Sequence, residues 1–143
     1  MPKLEIKKVY MEVAYQFAKC SYAERRQVGA VIVKDGQIIS FGYNGTPNGF
    51  DNCCEVDDTT KREVLHAESN AISKVAQSTI SSTGATLYVT TSPCFDCSKL
   101  IIQSGIKKVY WTEAYRDLSG IELLKKANIE VERIHPKDLN LNE

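Results

Sequence analysis

The chain carries no net charge: 18 lysines and arginines are balanced by 18 aspartates and glutamates. A protein that grips a polynucleotide broadly leaves a basic footprint. The balance argues against that class and leaves room for a small anion held by one or two cations. Long hydrophobic runs are missing too. No stretch reaches the roughly 18 apolar residues of a membrane-spanning helix. The opening MPKLEIKK lacks the apolar segment of a secretory signal. Neither a membrane nor a nucleic acid is therefore expected as a partner. Histidine is scarce, with two in the chain; His66 is interior and His135 lies in the final polar stretch. Cysteines number five: Cys20, Cys53, Cys54, Cys94 and Cys97. An odd count without an export signal is expected of reduced thiols in a cytoplasmic compartment, some of them serving metal binding or catalysis.

What is present suits one globular domain over residues 1–143. At that length a core can be buried without disulfide staples, and no repeat, low-complexity stretch or linker divides it. Apolar side chains at Ile6, Val9, Tyr10, Val13, Ala14 and Phe17 form a helical stripe across residues 6–20. VGAVIVKDGQIISFGYNG reads as two strands around Asp35-Gly36, because both turn residues tolerate positive φ. Residues 43–62, rich in Gly, Asn, Asp and Pro, read as a long loop. A helix is expected from His66 to Gln77 and a strand over ATLYVTT. SPCFDCSKLIIQSG predicts a helix with Ser92 as cap, Pro93 in the first turn and Gly105 closing it. KKVYWTE reads as a strand, SGIELLKKAN as a helix ending near Asn128, and IEVERI as the last strand. Helices and strands alternate after the hairpin, which favours a largely parallel sheet covered by helices on both faces. Ligands gather beyond the carboxyl ends of such strands, where the next helices begin.

Two of those helix starts carry chemistry. Cys94 and Cys97, three apart, share one face of a first helical turn. Alone they also fit a redox pair, half of a structural zinc site, or two small buried hydrophobes. A redox pair has no need of His66, and a structural site needs a fourth protein ligand that the surrounding sequence does not offer. His66 with two thiolates makes three ligands and one open position, which favours catalytic zinc. Glu68, two residues after His66, is poorly placed as a second ligand on a helix flank. At a helix start it can face the open position as a proton carrier.

His66-Ala67-Glu68 with Pro93-Cys94-Phe95-Asp96-Cys97 is the signature spacing of the zinc deaminases, and the chain resembles the cytidine deaminase superfamily. RRQVGAVIVKDGQIISFGYNGTPNGFDNCCE, LHAESNAI and GATLYVTTSPCFDCSKLIIQSGIKKVYW resemble, more narrowly, the deoxycytidylate (dCMP) deaminases, several viral members of which are about this short. The likeness runs from about Ser21 to Asn128. It implies a three-layer α/β/α fold with a central mixed five-stranded sheet, and one catalytic zinc ion. It also implies hydrolytic deamination of dCMP to dUMP, which supplies thymidylate synthesis. By the same likeness Asn44 contacts the sugar, Arg25 and Arg26 handle the phosphate, Ser21 lends a hydroxyl, and Ala67 and Tyr115 border the substrate. The likeness further implies a homo-hexamer activated by dCTP and inhibited by dTTP, each with Mg2+, and Gly42, Tyr43, Asn44 and Gly45 fall in the effector segment.

One departure stands out. Many relatives hold a second, structural zinc through a Ser-x-Cys stretch before the first strand; here it is Ser21-Tyr22-Ala23, and Ala23 cannot ligate. Cys20, Cys53 and Cys54 remain as an alternative metal set or as free thiols. Other substrates open to the same chemistry are tRNA adenosine, free deoxycytidine and dCTP.

Overall fold

A computed structural model describes residues 5–141. The first four residues of the stretch read as lacking an export signal, and the last two of the polar tail, lie outside that range. Helix α1 spans Ile6–Ala18 and buries Met11, Ala14 and Ala18. Ala14 belongs to the expected stripe, and Tyr10, Val13 and Phe17 pack half-buried beside it; Met11 and Ala18 join from outside the stripe, and Ile6 is exposed. The reason lies in β1, Gly29–Lys34. A methyl group on Gly29 would sit 1.9 Å from the Ala14 carbonyl oxygen, so the helix rests directly on the strand backbone. Strand β2, Gln37–Tyr43, pairs antiparallel with β1. Asp35 (φ 51°) and Gly36 (φ 75°) make the tight turn that the sequence predicts.

The stretch read as a loop contains structure. Strands β3 (Glu55–Val56) and β4 (Thr59–Thr60) form a small hairpin closed by Asp57 and Asp58, both at positive φ. Two-residue strands are too short to show alternation, so periodicity missed them. Helix α2 is Ala67–Ala76, β5 Thr86–Thr91, α3 Phe95–Gln103, β6 Lys108–Glu113, α4 Ser119–Lys126 and β7 Glu130–Arg133. Asn128, at φ 64°, and Gly105, at φ 84°, follow the ends of α4 and α3, where left-handed residues stop helices.

The five-stranded sheet runs in the order β2-β1-β5-β6-β7. β1 pairs antiparallel with both neighbours, whereas β5–β6 and β6–β7 are parallel. The sheet is therefore mixed, as the resemblance implies, and less parallel than the alternation suggests. β2, β5, β6 and β7 all run one way, and β1 is the single reversed strand between β2 and β5. On one face Met11 and Ala14 of α1 pack with Val31, Val33, Tyr88 and Tyr110. On the other, α2, α3 and α4 bring Ala71, Ile101 and Leu124 against Ile32, Leu87 and Val109. No helix among the described residues is long and apolar enough to cross a membrane.

This topology positions the site. The carboxyl ends of β2, β5 and β6 and the amino end of β1 share one edge of the sheet. The starts of α2, α3 and α4 gather there.

Candidate active site

Helix α2 is fixed to β2 before it contributes any chemistry. The Ser40 hydroxyl donates to the Ala71 carbonyl at 2.7 Å, and the Asn70 amide donates to the Tyr43 carbonyl at 3.0 Å. Gly42 is buried under the same helix; a methyl there would lie 2.4 Å from the Ala67 carbonyl oxygen. His66 is the N-cap residue of α2 and is extended, at φ −75° and ψ 159°. Its ring leaves the chain before the helical spiral starts, while Glu68 lies inside the first turn. That difference in backbone lets residues two apart converge.

Cys94 has the matching role in α3. It, not Ser92, is the N-cap, at φ −73° and ψ 171°, and its sulfur accepts from the Cys97 amide at 3.4 Å. Ser92 is displaced from capping because its hydroxyl accepts from the Tyr115 amide at 2.7 Å, tying the segment after β6 to the end of β5. Gly120, in the first turn of α4, packs against the same place, where a methyl would lie 2.2 Å from the Pro93 carbonyl oxygen.

The three expected ligands meet. His66 Nδ1 is 3.5 Å from Cys94 Sγ and 3.3 Å from Cys97 Sγ, and the donor atoms all lie within 4.8 Å of one another. Zinc bound tetrahedrally at about 2.3 Å to sulfur and 2.0–2.1 Å to nitrogen sets S and N about 3.6 Å apart, so the cluster fits that ion. Among the described residues this is the one group of three or more such donors that converges, and it has three members. Cys20 and Cys53 are exposed and Cys54 is buried, all as free thiols.

Electrostatics supply one ready thiolate here. Cys94 is held far below the usual thiol range, to about 4, by its hydrogen bond with Cys97, with His66 and the Cys97 amide adding to it against the effect of burial. The shared proton and burial push the Cys97 thiol up. The hydrogen bond with Cys94 raises the His66 pKa. Glu68 is 4% exposed, and burial pushes its carboxyl up to about 7, against the opposing pull of its own backbone amide and His66. A carboxyl poised near neutrality can take and return a proton.

A cavity of about 550 Å3 opens in front of the cluster, with His66, Glu68 and Cys94 on its wall. Five further expected residues, Arg25, Arg26, Asn44, Ala67 and Tyr115, line it as well. Ser21 stands behind the wall. It is buried, and its hydroxyl donates to the Asn44 carbonyl at 2.7 Å and accepts from the Ala23 amide at 3.1 Å. Asn44 is itself tied down: Oδ1 accepts from the Val28 amide at 2.9 Å and Nδ2 donates to the Arg26 carbonyl at 2.7 Å. Sequence reasoning missed Arg116, which lines the cavity beside Tyr115, and Glu55. The proximity of Arg116 to Tyr115 was a usable signal; Glu55 had none. Of the expected effector segment, Tyr43, Asn44 and Gly45 line a second cavity of about 400 Å3 that also includes Lys74.

A three-ligand metal cluster with a near-neutral carboxyl at its side, on this fold, is the equipment of the zinc-dependent hydrolytic deaminases. The chain belongs to the cytidine and deoxycytidylate deaminase family, matching its zinc-binding region over residues 4–113. Deoxycytidylate deaminase of Enterobacteria phage T4 is 34% identical across 91% of this chain and 90% of its own length. The Homo sapiens deoxycytidylate deaminase is 38% identical across 80% and 68%. The crystal structure of dCMP deaminase from the cyanophage S-TIM5, in complex with dCMP and dUMP, superposes with a TM-score of 0.90 at 48% identity, covering 94% of this chain and all (100%) of that one.

Proposed function

We propose that this protein hydrolyses dCMP to dUMP and ammonia, with His66, Cys94 and Cys97 holding one zinc ion and Glu68 carrying protons. The observation that carries the reading is the placement of a buried Glu68, its carboxyl near 7, on the same cavity wall as the three-donor cluster. Likeness to enzymes that act on dCMP supports the substrate, as do Arg25, Arg26 and Arg116 on the cavity wall, cations suited to a 5′-phosphate.

Zinc, when bound, supplies the Lewis acidity that makes water nucleophilic near neutral pH. The chain's own groups do the rest. Glu68 takes one proton from the attacking water and delivers it to N3 of cytosine as the water oxygen adds to C4. It then passes the second proton to the exocyclic nitrogen. The C4–N bond breaks, ammonia leaves and the C4 carbonyl of dUMP remains. Ala67, with no side chain beyond its methyl, leaves room for the base beside Glu68. Asn44 faces the sugar and Tyr115 closes the mouth, while Ser21 supports Asn44 from behind.

The same reading places the enzyme in the cytoplasm as a homo-hexamer, activated by dCTP and inhibited by dTTP, with Mg2+ accompanying the effector. Asn44 lines both cavities, so a nucleotide in the second one has a direct route to the substrate. Lys74, whose ammonium lies 3.9 Å from the Phe41 ring centre and whose pKa burial lowers, is the cation available there. The deciding experiment is ammonia release from dCMP, dCTP, CMP, deoxycytidine and tRNA, each with and without dCTP, dTTP and Mg2+. Turnover centred on dCMP is expected; equal turnover of deoxycytidine would refute the phosphate contacts.

A further inference from the structure

Two of the three cavity arginines, Arg25 and Arg26, sit on a segment without regular structure, between α1 and β1. Something must hold it, because a guanidinium on a loose backbone loses the alignment that anion recognition needs. Three ties fall on residues 24–26. The Asn44 amide donates to the Arg26 carbonyl at 2.7 Å. The Arg26 guanidinium lies 4.0 Å from Glu113, whose other oxygen accepts from the Tyr15 hydroxyl at 2.6 Å. The third comes from the small hairpin: a single oxygen of Glu55 accepts from the backbone amides of both Glu24, at 3.0 Å, and Arg25, at 3.2 Å. Bonds from amides to a carboxylate are among the stronger kinds.

Glu55 also lines the substrate cavity. A negative charge on that wall repels a phosphate, so Glu55 is not itself a phosphate contact. Its two bonds go to the backbone that presents Arg25 and Arg26. We propose that Glu55 is a positioning residue for the phosphate end of the substrate, fixing the backbone of Arg25 and Arg26 so that their side chains meet a 5′-phosphate. The proposal rests on the monophosphate reading above and extends it to the β3–β4 hairpin, which couples to phosphate recognition and not to the proton-transfer centre.

The test uses the full-length, zinc-loaded protein and three variants, Glu55→Ala, Glu55→Asp and Glu55→Gln. The readouts are kcat/KM for dCMP and for deoxycytidine, and the Kd of dUMP by calorimetry. In Glu55→Ala the ratio of dCMP to deoxycytidine kcat/KM is expected to fall about tenfold, mainly through KM, with a similar weakening of dUMP binding; a misplacement of about 1 Å costs up to ~10²-fold. Glu55→Asp, which keeps the charge and shortens the reach, is expected to fall in the same direction. Glu55→Gln, whose carbonyl accepts the same two amides, is expected to recover most of the ratio. An unchanged ratio in Glu55→Asp overturns the role of Glu55 even where Glu55→Ala fails to fold, as does a Glu55→Gln no better than Glu55→Asp. Wild-type protein with no preference for dCMP over deoxycytidine refutes the monophosphate reading itself, and this role with it.

Discussion

His66 and Cys94 are both N-cap residues with extended backbones, at φ −75° and −73°, and their donor atoms lie 3.5 Å apart across the starts of two helices. The metal cluster is therefore a joint between α2 and α3 as much as a reaction centre. Cys97→Ser should then lose zinc and stability together. Affinity should fall by more than the roughly 10–100-fold that follows loss of a ligand's outer hydrogen-bond partner. Metal analysis with a chelator competition, followed by thermal melting with and without added zinc, checks both halves. Full zinc occupancy in the variant would show that the cluster does not use Cys97.

Glu68→Gln keeps the shape of the buried side chain and removes its basicity. Turnover should fall by at least about 10²–10⁴-fold, the range of general acid–base help, while zinc content stays at the wild-type level. Substantial residual activity would take the proton-carrier role away from Glu68.

The same carboxyl makes the zinc-free protein sensitive to pH. Its folded pKa is near 7 against an ordinary 4.5, so between those values the folded state holds a proton that the unfolded chain has lost. The stability it confers is complete below about 4.5, declines as pH rises through 7, and is gone above. The span amounts to on the order of 3 kcal/mol. Cys94, held at about 4 against an ordinary 9, acts with the opposite sign over the same window, so the readout is a difference: the stability of chelator-treated wild type minus that of Glu68→Gln should fall by that amount between pH 4.5 and 7 in urea titrations.

Sequence made the meeting of His66, Cys94 and Cys97 legible because the residue types and spacing within each motif are local. Asp35-Gly36, Asn128 and Gly105 were readable for a similar reason: left-handed positions restrict residue type. What stayed hidden depends on neighbours brought together by folding. No local pattern says that β1 inserts, reversed, between β2 and β5. Nor does one say that Ser92 serves Tyr115 instead of capping α3, or that Met11 faces the core because Gly29 admits α1 so closely. Glu55 and Ser21 act through backbone groups 23 to 31 residues away, and periodicity carries no trace of such partners.

Gly120→Ala tests whether α4 braces the metal cluster. The added methyl would lie 2.2 Å from the Pro93 carbonyl oxygen and 2.7 Å from both the Cys94 carbonyl oxygen and Ser98 Oγ. Two of those three atoms are backbone and cannot swing aside. Overpacking of this kind costs about 1–3 kcal/mol, read by denaturant unfolding. Because the clash falls on the residue that carries a ligand sulfur, zinc should also dissociate faster than from wild type. A variant that loses stability without faster zinc release would confine α4 to a packing role.

Asn44→Ala separates what this side chain does as a strut from what it does toward substrate. The amide bridges the Val28 amide and the Arg26 carbonyl, so truncation leaves a partly buried donor and an acceptor unpaired, at a cost of about 1–3 kcal/mol. Asn44→Asp retains the acceptor for Val28 but sets a carboxylate oxygen against the Arg26 carbonyl. If the amide is only a strut, both variants should raise KM for dCMP through the arginine segment and spare deoxycytidine. If it also grips the sugar, deoxycytidine turnover should fall as well, since that substrate keeps the sugar and lacks the phosphate. The second outcome is expected, because Asn44 lies on the cavity wall with one amide hydrogen beyond the bond to Arg26. Steady-state kinetics of both variants on the two substrates, beside their urea midpoints, distinguish the cases.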